Sequence, residues 1–299
     1  MTAVPHAYEP VHNLRGIFAM VVAMAAFVGN DACVKLAAQE LPTGEVIFLR
    51  GLATVALCLG LIIARDTPRV IVDAIKPKVA LRALCDVGGA FTFLFTLTHM
   101  PIADAYAILQ FTPLALTAAA AVFLGAKVGW RRWSAAIIGL VGVLIIVRPG
   151  GNAFNAYALL ALVSVFFSVT RDLITRSISL GVTSLAMTFA STTMVALAST
   201  GFVLLEAWRT PSLAVGGLVI CAAVLLIAGQ HFLILALRTG EIAVVAPFRY
   251  SIVLWSVLAG LGIWQEFPDG GTLIGLGIVT GAGLYTFLRE QKLSRMAGA

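Results

Sequence analysis

The chain is a succession of apolar runs of similar length. About 20 apolar residues in a helix cross a hydrocarbon core of about 30 Å. Runs of that size, separated by charge, proline or Gly-Asn clusters, lie near 14–36, 45–64, 79–99, 102–125, 133–148, 156–178, 183–206, 213–237, 241–264 and 271–289. The pattern predicts ten transmembrane helices. Runs such as Ala135 to Val147 are apolar without interruption, whereas a membrane β-barrel alternates apolar and polar residues along strands of about ten. Ten spans of about 20 residues leave roughly nine residues for each loop and tail, and no extramembrane domain fits in that remainder.

Composition strengthens this reading. Of 299 residues, 60% are hydrophobic and 11% charged, too few charges to give either half of the chain a water-soluble surface. Lys+Arg exceed Asp+Glu by 20 to 14, yet there is no basic stripe interleaved with aromatics of the kind that binds nucleic acid. The excess serves orientation. With a cytoplasmic N-terminus, the inner segments hold Arg15, Arg65, Arg69, Lys76, Lys78, Lys127, Arg131, Arg132, Arg171, Arg176, Arg238, Arg289, Lys292 and Arg295. The outer segments hold only Lys35, Arg148 and Arg209, while Arg50, Arg82 and Arg249 fall within spans. By the positive-inside rule both termini are predicted to be cytoplasmic, in a multi-pass protein of the cytoplasmic (inner) membrane. Residues 1–13 lack the basic region and cleavage site of a secretory signal, so the first run is expected to remain as a span. Cys33, Cys58, Cys85 and Cys221 lie in apolar runs without CxxC spacing and read as small hydrophobes rather than a disulfide framework or metal site.

Sliding the sequence against itself by about 140 residues aligns its halves. Asn30-Asp31 with Lys35 falls on Arg171-Asp172 with Arg176, and Met100-Pro101-Ile102-Ala103 falls on Gly240-Glu241-Ile242-Ala243. Gly139 and Gly142 of span 5 answer to Gly275, Gly277, Gly281 and Gly283 of span 10. Two repeats are predicted, 14–148 and 156–290. Each holds five spans, an odd number, so the second enters the membrane from the opposite side and the repeats are inverted. That architecture is shared by many secondary transporters, because the two halves can exchange shapes around one site.

With Pro113, the Gly139-Leu140-Val141-Gly142 run, Gln265-Glu266 and the glycines of span 10, the sequence resembles the EamA-type drug/metabolite transporter superfamily over nearly its whole length. It departs from that pattern in two places. Gly125-Ala126-Lys127 lacks the acid expected after span 4, and Val253 stands where a second proline aligns, Pro247 lying earlier. Within the superfamily it is most similar to bacterial amino-acid exporters, the aromatic amino-acid type in particular. The resemblance implies an all-α membrane protein of ten helices in two inverted five-helix repeats.

Polar groups inside spans are costly unless they face a cavity or a partner, which marks them as candidates. Tyr106, Gln110, Pro113 and Thr117 recur at helical spacing as a polar stripe on span 4. Pro113 is expected to kink the helix and free the Leu109 carbonyl, making either a hinge and substrate-contact helix or a packing kink. Pro247, Phe248, Arg249 and Tyr250 occupy the counterpart region of span 9. Arg249 either holds a substrate carboxylate or pairs with an acid such as Asp172 or Asp86. Of Gln230 and His231 on span 8, one must face inward, and His231 is the candidate for proton coupling. Asp31 with Lys35, and Asp172 with Arg176, have the favoured i, i+4 order and read as alternating gates or as interfacial ion pairs. Arg82 and Asp86 share that spacing, while Arg50 reaches Glu45 only loosely. Phe95, Phe111, Phe248 and Trp255 are candidate cavity aromatics. Small-residue spacing such as Gly277 to Gly281 predicts close helix packing, as a scaffold or as the face of a homodimer through spans 5 and 10.

Together these features predict a secondary transporter that exports small amphipathic metabolites by alternating access. Aromatic or hydrophobic amino acids are the substrate class the resemblance implies, and other drugs or metabolites are the alternative. There is no GxxxxGK[ST], HExxH or GxSxG, so neither a nucleotide-driven pump nor an intramembrane enzyme is favoured, and no cofactor is called for. The expected partners are a small-molecule substrate and the lipid bilayer, in a monomer or homodimer.

Overall fold

In lipid a backbone N–H or C=O must find its partner within its own segment or a closed sheet, and among the described residues every long apolar run is helical. The computed structural model describes residues 10–65, 67–124, 130–147, 156–179, 181–205, 207–239 and 245–297. The helices are α1 (Pro10–Ala37), α2 (Thr43–Ala64), α3 (Arg69–Ala74), α4 (Pro77–His99), α5 (Ile102–Leu109), α6 (Thr112–Leu124) and α7 (Trp130–Val147). They continue with α8 (Tyr157–Arg176), α9 (Ser184–Leu205) and α10 (Leu213–Thr239), a 3₁₀ turn (Ala246–Tyr250), α11 (Ser251–Ala259), a π turn (Gly260–Trp264) and α12 (Gly270–Ala297). Among the described residues there is no strand. Prolines set several helix starts: Pro42, Pro68 and Pro101 stand just before α2, α3 and α5, and Pro77 opens α4, where its missing N–H costs no helical bond.

Among the described residues, five helical stretches are long and apolar enough to cross a membrane: Leu14–Ala37, Thr43–Ala64, Pro77–His99, Tyr157–Thr175 and Leu213–Leu233. Shorter apolar stretches cover Ile102–Leu116, Trp133–Val147, Phe248–Trp264 and Gly270–Thr286. Large apolar side chains such as Ile63, Leu204 and Leu213 are exposed on the outside of the bundle.

Three segments differ from the sequence expectation. The fourth predicted span is two helices, interrupted at Gln110 and Phe111 ahead of Pro113. The ninth is a 3₁₀ turn, a short α-helix and a π turn in series. The stretch between spans 2 and 3, expected as loop, contains α3, because Val70 and Ala74 lie four apart and bury against α9. The segments Gly125-Ala126-Lys127, Arg148 and Gly240-Glu241-Ile242-Ala243 lie outside the described residues.

The most extensive packing pairs are α1 with α10, α4 with α8, α7 with α12, α2 with α9, α4 with α9, α2 with α10 and α1 with α11, and α5 also packs on α11 and α8. In the α7–α12 pair the backbones nearly touch. A Cβ on Gly142 would stand 2.9 Å from the Gly275 carbonyl oxygen, and one on Gly275 would stand 2.6 Å from that of Gly142. Gly277 and Gly281, the spacing singled out in the sequence, have nothing within 4 Å of such a Cβ. Close packing therefore runs through a different glycine pair, and the Gly277–Gly281 face is open.

Candidate functional site

Two charged networks lie in the bundle. In the first, the buried Asp31 carboxylate of α1 accepts from Tyr106 Oη of α5 at 2.5 Å and from Asn30 Nδ2 at 2.7 Å, while Arg50 of α2 donates to Asn30 Oδ1 at 3.5 Å. In the second, Asp86 of α4 is the hub. It accepts from Arg82 Nη1 at 2.8 Å, Ser191 Oγ at 2.5 Å and Arg171 Nη1 at 3.4 Å. Arg171 also donates to Asp172 at 2.9 Å, and Arg82 to Thr175 Oγ1 at 3.0 Å. One offset of 141 residues carries Asn30, Asp31 and Arg50 onto Arg171, Asp172 and Ser191. The two networks thus share three positions related by that offset, while Arg50 lies on α2 and Arg82 and Arg171 lie on α4 and α8.

The spacing expectation holds for Arg82–Asp86 and not for Asp31–Lys35. Asp31 and Lys35 do not pair. Asp31 turns to Tyr106, and Lys35 donates to the Met100 carbonyl at 2.9 Å and to Glu266 at 3.4 Å, with its ammonium 4.7 Å from the centre of the Trp264 ring. Asp172 is held by its neighbour Arg171, and the Arg176 side chain lies outside the described residues. Glu45 receives the Arg209 backbone N–H at 3.1 Å, leaving Arg50 to the α1 network.

The breaks in the fourth and ninth spans carry the most informative groups. The Leu109 carbonyl, expected to be free, accepts from Thr112 Oγ1 at 2.6 Å, so this hydroxyl replaces the N–H that Pro113 lacks. The buried Gln110 Nε2 at that break and the buried Ser251 Oγ at the junction of the 3₁₀ turn with α11 have no hydrogen-bond partner. The same 141-residue offset relates Gln110 to Ser251. A Cβ on Gly260, at the end of α11, would stand 3.5 Å from Ile102 at the start of α5. The end of α11 thus lies by the start of α5, and the two helices pack against each other. Ser251 was missed in the sequence, although the repeat offset from Gln110 points to it.

The remaining candidates divide between packing and exposure. Tyr106 is a core residue, edge-on to Phe93 at 5.5 Å. Trp255 donates to the Val21 carbonyl at 3.2 Å, pinning α11 to α1. Phe111 packs against the core and toward Gly139. Phe95 is half-buried, and its carbonyl contacts the His99 ring. Gln230 is half-buried and His231 exposed, edge-on to Phe232 at 5.7 Å, so Gln230 is the more inward of the two. Phe248 and Arg249 are exposed; no ion pair among the described residues reaches Arg249, and Asp172 and Arg171 are the charges acting on it. Pro113 lies in the first turn of α6 and is exposed; Pro247 lies in the 3₁₀ turn. The Thr117 side chain lies outside the described set.

Residues 14–148 match the model of the EamA-like transporter family. Among curated proteins, the chain is 26% identical over 288 residues to the S-adenosylmethionine uptake transporter of Rickettsia conorii, covering 93% of this chain and 94% of that protein. It is 23% identical over 261 residues to the pseudopaline exporter CntI of Pseudomonas aeruginosa, covering 87% and 91%. It is 31% identical over 223 residues to the riboflavin transporter of Vibrio cholerae serotype O1, covering 72% of each chain. A solved crystal structure at 18% identity superposes with a TM-score of 0.63, covering 95% of this chain and 98% of that one. Helical fold, family match and relatives agree: this chain belongs to the EamA-like transporter family, within the drug/metabolite transporters, which are multi-pass membrane carriers of small molecules.

Proposed function

We propose that the chain is a secondary carrier that exports small amphipathic metabolites bearing an amino-acid headgroup across the cytoplasmic membrane by alternating access. In this reading ten spans form two inverted five-helix repeats, 14–148 and 156–290, with both termini in the cytoplasm. The helix pairing supports a two-fold relation between the halves. Exchanging α1 with α8, α2 with α9, α4 with α10, α5 with α11 and α7 with α12 turns the main set of packing pairs into itself, as a two-fold relation requires.

The observation that carries the reading is the pair of helix breaks. Discontinuous helices near the repeat interface free polar groups for a solute, and an unpartnered buried donor costs roughly 1–3 kcal/mol. Gln110 Nε2 and Ser251 Oγ bear that cost at positions one 141-residue offset apart, in helices that pack against each other. A solute presenting acceptors there relieves it, which favours a small polar headgroup, with Phe248 and Arg249 within the same span as Ser251 to engage an apolar tail or a carboxylate. The relatives named for S-adenosylmethionine, itself an amino-acid derivative, support that substrate class; other named substrates, such as riboflavin, are the alternative.

Counter-flow tests the substrate class. Proteoliposomes preloaded with unlabelled amino acids, S-adenosylmethionine or riboflavin are given the labelled solute outside. Saturable, preload-stimulated entry of amino-acid-type solutes is expected, and counter-flow of riboflavin alone would overturn the assignment.

A further inference from the structure

At the end of the bundle away from Arg82, where α1 ends and α4 meets α5, lies a cavity of about 330 Å³ lined by Lys35, Gln39, Thr98, Met100, Trp264 and Glu266, among others. Its volume is at the low end of small-ligand pockets, roughly 300–1,000 Å³. Three features make it a built site. Lys35 is fixed by the Met100 carbonyl at 2.9 Å and the face of Trp264, so its position does not depend on its acid partner. Glu266 faces it across a long 3.4 Å contact and is 37% exposed, against 10% for Lys35. The indole Nε1–H of Trp264 is buried without an acceptor. The backbone holds Glu266 in place: Gln265 adopts a left-handed conformation with φ of 57°, and the Glu266 N–H bonds the Gly260 carbonyl at 3.0 Å. A non-glycine residue held there is a strained conformation of the kind that clusters at ligand sites.

We infer that this cavity is a second solute site, separate from the helix breaks, that binds zwitterions with an α-amino-acid headgroup. Lys35 and the Trp264 N–H receive the carboxylate, and Glu266 receives the ammonium. A zwitterion replaces the loose Lys35–Glu266 contact with two charge-assisted hydrogen bonds and leaves the net charge unchanged. Asp104, whose charge also acts on Lys35, disfavours a lone anion at the same place. The site deepens the carrier reading and rests on it only for the direction in which the solute travels.

Calorimetric titration of the purified full chain in detergent tests this with L-leucine, 3-methylbutylamine (leucine without its carboxylate) and 4-methylpentanoate (leucine without its ammonium). Leucine should bind about tenfold or more tighter than either analogue, because one charge-assisted contact is lost in each. Glu266→Gln should bring the leucine to 4-methylpentanoate ratio toward one. Trp264→Phe, which keeps the ring beneath Lys35, should weaken both carboxylates. His231→Ala, remote from both sites, should leave leucine binding intact. Equal affinities for the three compounds, no saturable leucine binding, or an unchanged ratio in Glu266→Gln would each overturn the site. Counter-flow of wild-type protein without this charge selectivity removes the second site and leaves the carrier; selective binding without counter-flow does the reverse.

Discussion

Tyr106 donates its hydroxyl to the Asp31 carboxylate at 2.5 Å, joining α5 to α1 across 75 residues of sequence. Both residues are buried, and Arg50 beside them bonds Asn30 rather than the carboxylate. Tyr106→Phe leaves a buried carboxylate oxygen without its donor, a loss of about 1–3 kcal/mol. Thermal unfolding in detergent should show that loss, and the Tyr106→Phe, Asp31→Asn double variant should cost less than the sum of the two single changes.

Asp86 is the hub of the second network, and its removal leaves Arg82 and Arg171 facing each other. Asp86→Ala should destabilise by about 3 kcal/mol, the low end for breaking a buried pair. Ser191→Ala removes one hydroxyl and should cost no more than about 1 kcal/mol. The reverse order in chemical or thermal unfolding would contradict the hub assignment.

The glycines of α7 and α12 separate cleanly. Gly142→Ala and Gly275→Ala each place a methyl against the partner's carbonyl oxygen and should cost about 1–3 kcal/mol through overpacking. Gly277→Ala and Gly281→Ala meet open space and should be neutral or stabilising by up to about 1 kcal/mol through helix propensity. Loss of a dimer band on native gels in the second pair alone would identify their face as a subunit contact.

His231 is exposed, and no hydrogen bond of the described residues joins it to either network. His231→Ala should therefore retain both counter-flow and any stimulation by a pH gradient. Loss of gradient dependence alone would return it to a coupling role.

Much of this fold can be read from apolar run length, since in lipid a continuous run of about 20 residues has little choice but helix. The site was less legible. Lys35 stands four residues from Asp31, yet it is drawn to Met100 and Glu266, which spacing within one helix cannot reveal. Arg82–Asp86 followed its spacing because α8 and α9 supply groups that reinforce the pair. The break at Gln110 was signalled by Pro113, but the acceptor it was expected to free is closed by Thr112, a local hydroxyl bond. Ser251 has no distinctive neighbours and becomes visible only when the two halves are laid on each other.

The claim that the paired helix breaks hold the transported solute is tested most directly by initial counter-flow rates for wild type, Gln110→Ala and Ser251→Ala in matched proteoliposomes, with unfolding curves on the same preparations. Neither residue's unpartnered atom contributes a hydrogen bond to the empty protein, so both variants should be as stable as wild type or slightly more so. The account predicts saturable, preload-stimulated flux in wild type and a fall of about tenfold or more in each variant. Wild-type rates in both variants, or flux that neither saturates nor responds to preload, would contradict it.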